Sequence, residues 1–299
     1  MQTKTWTGTA LAALASLVFQ DAEGAPMKPT IESHRTETGI AYAVAGDGET
    51  TVVFVHGANA DRTHWHRQMG RVPDGRRHVA LDLAGHGESS DPSEPFSMEV
   101  FARGVAEVLD DLALERAILV GHSNGVAVVR QFARSWPERV LGLLFADGAL
   151  VPPISPEMEA WMRGMLARPD YEAALKGMVE MTPRGGLADE DYALVKAVHL
   201  ATSKSTALGW LDAMTDPAAW TEDRIGAPVL VLRTGAPGGS GGSSEGGDPG
   251  EEVLRRIAPH AVVESWNDCG HFLMLERPDE LERALLALSS RAIADARAR

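Results

Sequence analysis

From residue 31 onward the chain alternates short, continuous apolar runs with longer stretches of helical period. That alternation limits the fold more than any other feature, because it is the sign of a mostly parallel sheet covered by helices. Gly39-Ile-Ala-Tyr-Ala-Val-Ala45 reads as an opening strand, closed by the turn Gly46-Asp-Gly48. Further strands are expected at Thr51-Val-Val-Phe-Val55, His78-Val-Ala-Leu-Asp82, Ala117-Ile-Leu-Val120, Val140-Leu-Gly-Leu-Leu-Phe145, Pro228-Val-Leu-Val-Leu232 and Ala261-Val-Val-Glu-Ser265. One helix is predicted from Met98 to Leu112, and another from Asn124 until Pro137 forces its end. With 299 residues, such a core needs no disulfide or metal to hold it.

The alternation breaks between residues 152 and 220, where no strand-like run occurs. Ser155-Pro156-Glu157 is a good helix start, with a hydroxyl cap and proline at the first position. A helical stretch interrupting a βα series reads as a lid inserted after one strand. The expected organisation is therefore a core of residues 31–151 and 221–299 carrying a helical cap of residues 152–220. Met158, Trp161, Met162, Met165, Met178, Met181, Trp210, Met214 and Trp220 can roof a site with apolar surface. For most of them, packing of helices on one another is the simpler reading. Residues Gly235 to Gly250 hold eight glycines in sixteen positions, the composition of a mobile surface loop. Residues 1–30 read as an N-terminal extension or a signal peptide. The apolar run Ala10–Phe19 is too short to span a bilayer, and Ala22-Glu-Gly24 offers a cleavage site. A single preceding lysine, Lys4, and a second methionine at Met27 favour a cytoplasmic location over export.

Charge narrows the partners. A formal net charge of −14 gives no attraction to nucleic-acid phosphates and repels anionic lipid surfaces, so a small molecule is the expected partner. One cysteine, Cys269, excludes a disulfide framework and any multi-cysteine zinc site. His64 and His66 with Asp61 lack the paired-histidine spacing of helical zinc sites, so no metal or other cofactor is expected.

The sharpest local signal is Gly121-His-Ser-Asn-Gly125, lying between Ile118-Leu-Val120 and Val126-Ala-Val-Val129. A strand that turns at once into a helix forces the middle residue into a strained backbone, and its neighbours must be glycine for strand and helix to approach. Ser123 is then lifted clear of the sheet edge at the positive end of a helix, as a nucleophile. A serine hydroxyl needs a base, and His271, in Asn267-Asp-Cys-Gly-His271 after the last strand, is the candidate. A tetrahedral intermediate needs two donors aimed at its oxygen. The backbone N–H of Asn124 and that of Ala58, in His56-Gly-Ala58 after the second strand, supply them. His86 is expected to be structural, and His122 to point away from the serine.

In order along the chain, Phe54-Val-His-Gly57, Asp82-Leu-Ala-Gly-His-Gly-Glu-Ser89, Gly121-His-Ser-Asn-Gly125, Pro228-Val-Leu-Val-Leu232 and Gly270-His271 with Glu276-Arg-Pro-Asp-Glu280 resemble the α/β-hydrolase superfamily from about residue 36 to 288. The resemblance implies an eight-stranded, mostly parallel sheet, a helical lid after strand six and a Ser–His–acid triad. Serine at the elbow resembles the esterase and lactonase branches, not the dehalogenase and epoxide-hydrolase branches, which place aspartate there.

The chain departs from the family pattern at the acid, usually found a few residues after strand seven. Here that strand runs into Arg233-Thr-Gly-Ala-Pro-Gly-Gly-Ser240, and no carboxylate follows until Glu245 and Asp248. The alternative position after strand six holds Asp147. A triad acid must be held rigidly to fix the histidine, which favours Asp147 over a carboxylate deep in a glycine-rich loop. Asp268 is too near His271 along the chain, and Asp82 caps a turn. The expected activity is cofactor-free cleavage of a small carboxylic ester or lactone through an acyl-enzyme. The alternatives are a C–C bond hydrolase of the same fold, and a ligand receptor that retains the triad without turnover.

Overall fold

The computed structural model describes residues 29–73, 75–152, 154–180, 184–235 and 249–298. Eight strands form one sheet: β1 Ile31–Arg35, β2 Ala41–Ala45, β3 Thr50–Val55, β4 Arg76–Leu81, β5 Ala117–His122, β6 Val140–Ala146, β7 Val229–Thr234 and β8 Val262–Trp266. Their order in space is β1-β2-β4-β3-β5-β6-β7-β8. β2 runs antiparallel to both of its neighbours, and the remaining pairs are parallel. β1 has no counterpart in the sequence reading, which opens the sheet at Gly39. Its five residues, Ile-Glu-Ser-His-Arg, are exposed throughout, so an edge strand here carries no apolar run to betray it.

The apolar runs of the central strands divide by parity, as the pleat requires. Val53, Val55, Val79, Leu81, Leu119, Leu143, Phe145, Val229 and Val231 face one buried cluster. Val52, Phe54, Ala80, Ile118, Val120, Leu144, Leu230 and Leu232 face the other. On the first face pack α1 (Met98–Asp111), through Phe101, Val105 and Leu109, and α2 (Gly125–Ser135), through Val126, Val129 and Phe132. α1 starts as the sequence predicts, with the Ser97 hydroxyl accepting from the N–H of Val100 at 3.2 Å.

Between β6 and β7 lie α3 (Pro156–Ala167), α4 (Tyr171–Glu180), α5 (Asp189–Ala201) and α6 (Lys204–Thr215). Ser155 caps α3, accepting from Met158. The methionines and tryptophans of this insert split: Trp210 and Met214 are buried in the first cluster, whereas Met158 and Trp161 are 46% and 47% exposed. Met181 lies outside the described residues, as do 236–248 of the glycine-rich segment. The end of that segment is not loop, since Pro249 and Gly250 open α7 (Pro249–Ile257). Proline suits a first turn, where its missing N–H has no partner to lose. The closing helix α8 (Pro278–Ala298) lays Leu281, Leu285 and Leu288 on the second face. Among the described residues, no helix is long and apolar enough to cross a membrane.

The chain leaves β3 toward β4 on one side and returns to β5 on the other. The loops after β3 and β5 therefore part at the carboxyl edge of the sheet, where an open α/β sheet offers a crevice. Register brings the strand ends level, Val55 opposite Gly121, Gly121 opposite Phe145, and Phe145 opposite Val231.

Candidate active site

Ser123 follows β5 and has φ of 54°, in the left-handed region. A non-glycine residue there costs roughly 1–2 kcal/mol, so the surroundings must enforce it. They do so through close backbone approach. A Cβ on Gly121 would lie 2.5 Å from the Gly125 carbonyl oxygen, and one on Gly125 would lie 2.6 Å from that of His56. Glycine at both positions lets β5, α2 and the loop after β3 meet. The Ser123 N–H donates to the Ala146 carbonyl at 2.9 Å, which ties the serine to the end of β6. α2 begins immediately beyond, with Asn124 at its cap, whose side chain makes no capping hydrogen bond.

Asp147 follows β6, also at positive φ, 47°, and is 2% exposed. Its Oδ1 accepts from the Thr234 N–H at 3.0 Å, and its Oδ2 accepts from the Thr234 hydroxyl at 2.9 Å. The same Oδ2 accepts from His271 Nδ1–H at 2.7 Å. The carboxylate is thus fixed by the last residue of β7 and bonded to a half-buried imidazole. Because Nδ1 donates, Nε2 of the neutral ring keeps its lone pair.

Behind His271 stands His122. Its Nε2–H donates to the His271 carbonyl at 2.8 Å, and the two rings lie 4.7 Å apart. Burial, with His271 close by, holds the His122 imidazole down at about 3, so it is a neutral brace. Neither His122 nor Thr234 stood out in the sequence. Each acts through a partner more than eighty residues away, and a threonine ending a strand carries no signal of its own.

The loop after β3 approaches Ser123 closely. A Cβ on Gly57 would stand 2.9 Å from Ser123 Cβ and 3.4 Å from its Oγ. Buried His56 sets this loop, donating from Nδ1 to the Gly57 carbonyl at 2.8 Å and accepting from the Leu83 N–H at Nε2, 3.0 Å away. Burial holds its pKa down at about 4, which keeps Nε2 free to accept. Ala58 is half-buried, and Asn59 beyond it has φ of 53°. The insert touches both loops: the Thr202 hydroxyl donates to the Asn59 carbonyl at 3.2 Å, and the Asn124 amide lies 3.1 Å from Met214 Sδ.

The other candidates are engaged elsewhere. Asp82 is buried under Arg62 and accepts from the N–H of Arg62 at 2.7 Å and of Glu88 at 2.8 Å, holding the turn after β4. Burial outweighs these partners and pushes its carboxyl up to about 6. His86 donates from Nδ1 to the Ala84 carbonyl at 3.0 Å. Asp268 pairs with Arg277. Cys269 is 2% exposed and its thiol is pushed up to about 12 by burial, so it has no thiolate character at neutral pH. His66 lies 3.3 Å from Asp191, and among the described residues no three metal-ligating side chains converge. Glu245 and Asp248 lie outside the described residues.

The model of the alpha/beta hydrolase family matches residues 52–284. The acetyltransferase component of an acetoin cleaving system from Cupriavidus necator is 38% identical over 115 residues, covering 38% of this chain but only 29% of its own length. Lipase LipV of Mycobacterium tuberculosis is 30% identical over 166 residues, 54% of this chain and 62% of the lipase. Among solved structures, Est816, described as an N-acyl homoserine lactone degrading enzyme, superposes with a TM-score of 0.66 at 27% identity, covering 86% of this chain and 99% of Est816.

Proposed function

The chain belongs to the α/β hydrolase family, and on that premise we propose that it is a serine hydrolase that opens small carboxylic esters or lactones through an acyl-enzyme, without a cofactor. One observation carries the reading: the 2.7 Å bond from His271 Nδ1–H to an Asp147 carboxylate that Thr234 already fixes. It leaves Nε2 as the basic nitrogen, the condition for activating Ser123.

In the first half-reaction, Ser123 Oγ attacks the substrate carbonyl carbon as His271 Nε2 takes its proton. Asp147 orients the ring and stabilises the imidazolium that forms, without itself taking the proton. The negative charge on the former carbonyl oxygen is received by the N–H groups of Asn124 and Ala58, the first reinforced by the positive end of α2. Collapse expels the alkoxide, which takes the proton from His271. For a lactone this leaving group stays attached to the acyl chain. Water then attacks the acyl-enzyme, giving its proton to His271, which returns it to Ser123. A serine at the elbow, where no carboxylate stands to alkylate, favours acyl transfer over epoxide opening.

The insert between β6 and β7 serves as the lid of this site. Met214, with its Sδ 3.1 Å from the Asn124 amide, brings apolar surface of the insert beside the elbow, suited to the hydrocarbon part of an acyl group. The lactone-degrading activity stated for Est816 supports including lactones in the substrate class. The experiment is turnover of p-nitrophenyl acetate and butyrate, with ring opening of a γ-butyrolactone followed by proton release. Saturable turnover that Ser123→Ala abolishes is expected. Equal rates for wild type and Ser123→Ala would overturn the proposal.

A further inference from the structure

Glu276 ends the helical turn Leu273–Glu276, five residues beyond His271. Its Oε2 accepts two backbone N–H groups at once, that of Gly270 at 2.9 Å and that of Gly186 at 3.0 Å. Gly270 immediately precedes His271, whereas Gly186 lies in the turn between α4 and α5 of the insert. Oε1 is buried and has no hydrogen-bond partner among the described residues. Three glycines make room for this carboxylate. A Cβ on Gly270 would meet Oε1 at 2.3 Å, one on Gly185 would meet it at 2.8 Å, and one on Gly186 would meet Oε2 at 2.7 Å. Gly185 also has φ of 57°. Next in the chain, Leu187 is buried in the same cluster as Cys269, Phe272 and Leu273, so the insert's turn sits on the histidine loop itself.

We infer that Glu276 is a positioning residue that locks the His271 loop to the insert, so that the placement of the base and the seating of the lid are one geometric variable. The carboxylate touches no reacting atom. It accepts one N–H from each side, and a charged acceptor shared by two donors is among the stronger bonds available to a backbone. Losing it frees the Gly270–His271 peptide and the Gly185–Gly186 turn together. A displacement of about 1 Å at a catalytic group can cost on the order of a hundredfold in rate. The kinetic part of this inference rests on the serine-hydrolase reading.

The test compares Glu276→Gln, which keeps an acceptor oxygen, with Glu276→Met, which keeps the volume but not the acceptor. Gly186→Ala is the third variant, pushing on Oε2 from the insert side. Amide exchange of Gly186 and Gly270, followed by NMR in the full chain, reads the lock without reference to any substrate. Glu276→Met should speed both amides together, and Glu276→Gln should restore most of the protection. With p-nitrophenyl butyrate, Glu276→Met and Gly186→Ala should lower kcat by about tenfold or more while KM changes less, with Glu276→Gln between them and wild type. Should Glu276→Met fail to fold by circular dichroism, Gly186→Ala carries the same comparison. Folded variants with wild-type kcat, or two amides that respond independently, would overturn the inference. An inactive wild type whose two amides still respond together would sink the ester reading and leave the lock standing.

Discussion

Ser123 is where backbone geometry and chemistry compete for one residue. Its φ of 54° is comfortable only for glycine. Ser123→Gly should therefore abolish turnover and raise stability by about 1 kcal/mol, measured by urea unfolding. Ser123→Ala, which keeps the Cβ, should be inactive without that gain. At the proposed acid, Asp147→Asn should leave the fold intact and lower kcat by roughly 10³- to 10⁴-fold, because an amide presents the wrong partner to Nδ1. Thr234→Val removes the hydroxyl bond while keeping the backbone donor, and a loss of about tenfold in kcat is expected. Sequence alone pointed to Ser123 and His271, since flanking glycines and strand ends betray an elbow and a post-strand loop. It pointed to Asp147 through the alternative acid position after strand six and a rigidity argument, and Asp147 is held by two bonds from Thr234. Thr234, His122 and Glu276 could not be read, because each is defined by a partner that only the folded chain brings near.

At the scale of elements, α2 does more than follow the proposed nucleophile. Arg130, buried on that helix, donates to the Leu150 carbonyl at 2.9 Å and the Thr221 carbonyl at 3.1 Å, and Arg134 one turn on donates to the Ala218 carbonyl at 3.0 Å. Those carbonyls stand where the chain enters and leaves the insert, so one helix grips both of its ends. Burial pulls Arg130 down to about 10, still charged at neutral pH. Arg130→Met leaves two carbonyls without their charged donor and should cost about 3 kcal/mol in denaturant unfolding, with a rise in KM as the insert loosens. Elements with continuous apolar runs, β3 through β7, were legible because burial on both faces leaves no choice of residue. β1 was not, since a short edge strand is chosen by its neighbour β2 and by solvent rather than by hydrophobic pattern. The start of α7 was hidden by a glycine-rich approach, although Pro249 marks a first turn in retrospect.

Across the whole molecule, the acid-sensitive feature is a set of buried neutral histidines. His56 and His78 are held at about 4, and His86 and His122 at about 3, in each case chiefly by burial. In the unfolded chain they titrate near 6.5, so between that value and 4 the unfolded state binds more protons and stability falls as pH falls. Asp82, raised to about 6, and Glu282, raised to about 7, act in the opposite sense, since the folded state keeps protons there that the unfolded chain has released. Burial lowers His64 and His199 as well, so the imidazoles outweigh the two carboxyls, and a decline on the order of 1–3 kcal/mol per pH unit below pH 6 is expected by urea unfolding at fixed ionic strength. A flat profile from pH 7 to 4.5 would contradict it. The proposed reaction is equally a property of the whole chain, with a nucleophile after β5, an acid after β6 and a base after β8. The most direct test measures p-nitrophenyl butyrate hydrolysis by wild type, Ser123→Ala, Asp147→Asn and Asp248→Asn side by side. Collapse in Ser123→Ala and Asp147→Asn, with Asp248→Asn close to wild type, is the predicted result. Collapse in Asp248→Asn with Asp147→Asn active would contradict it.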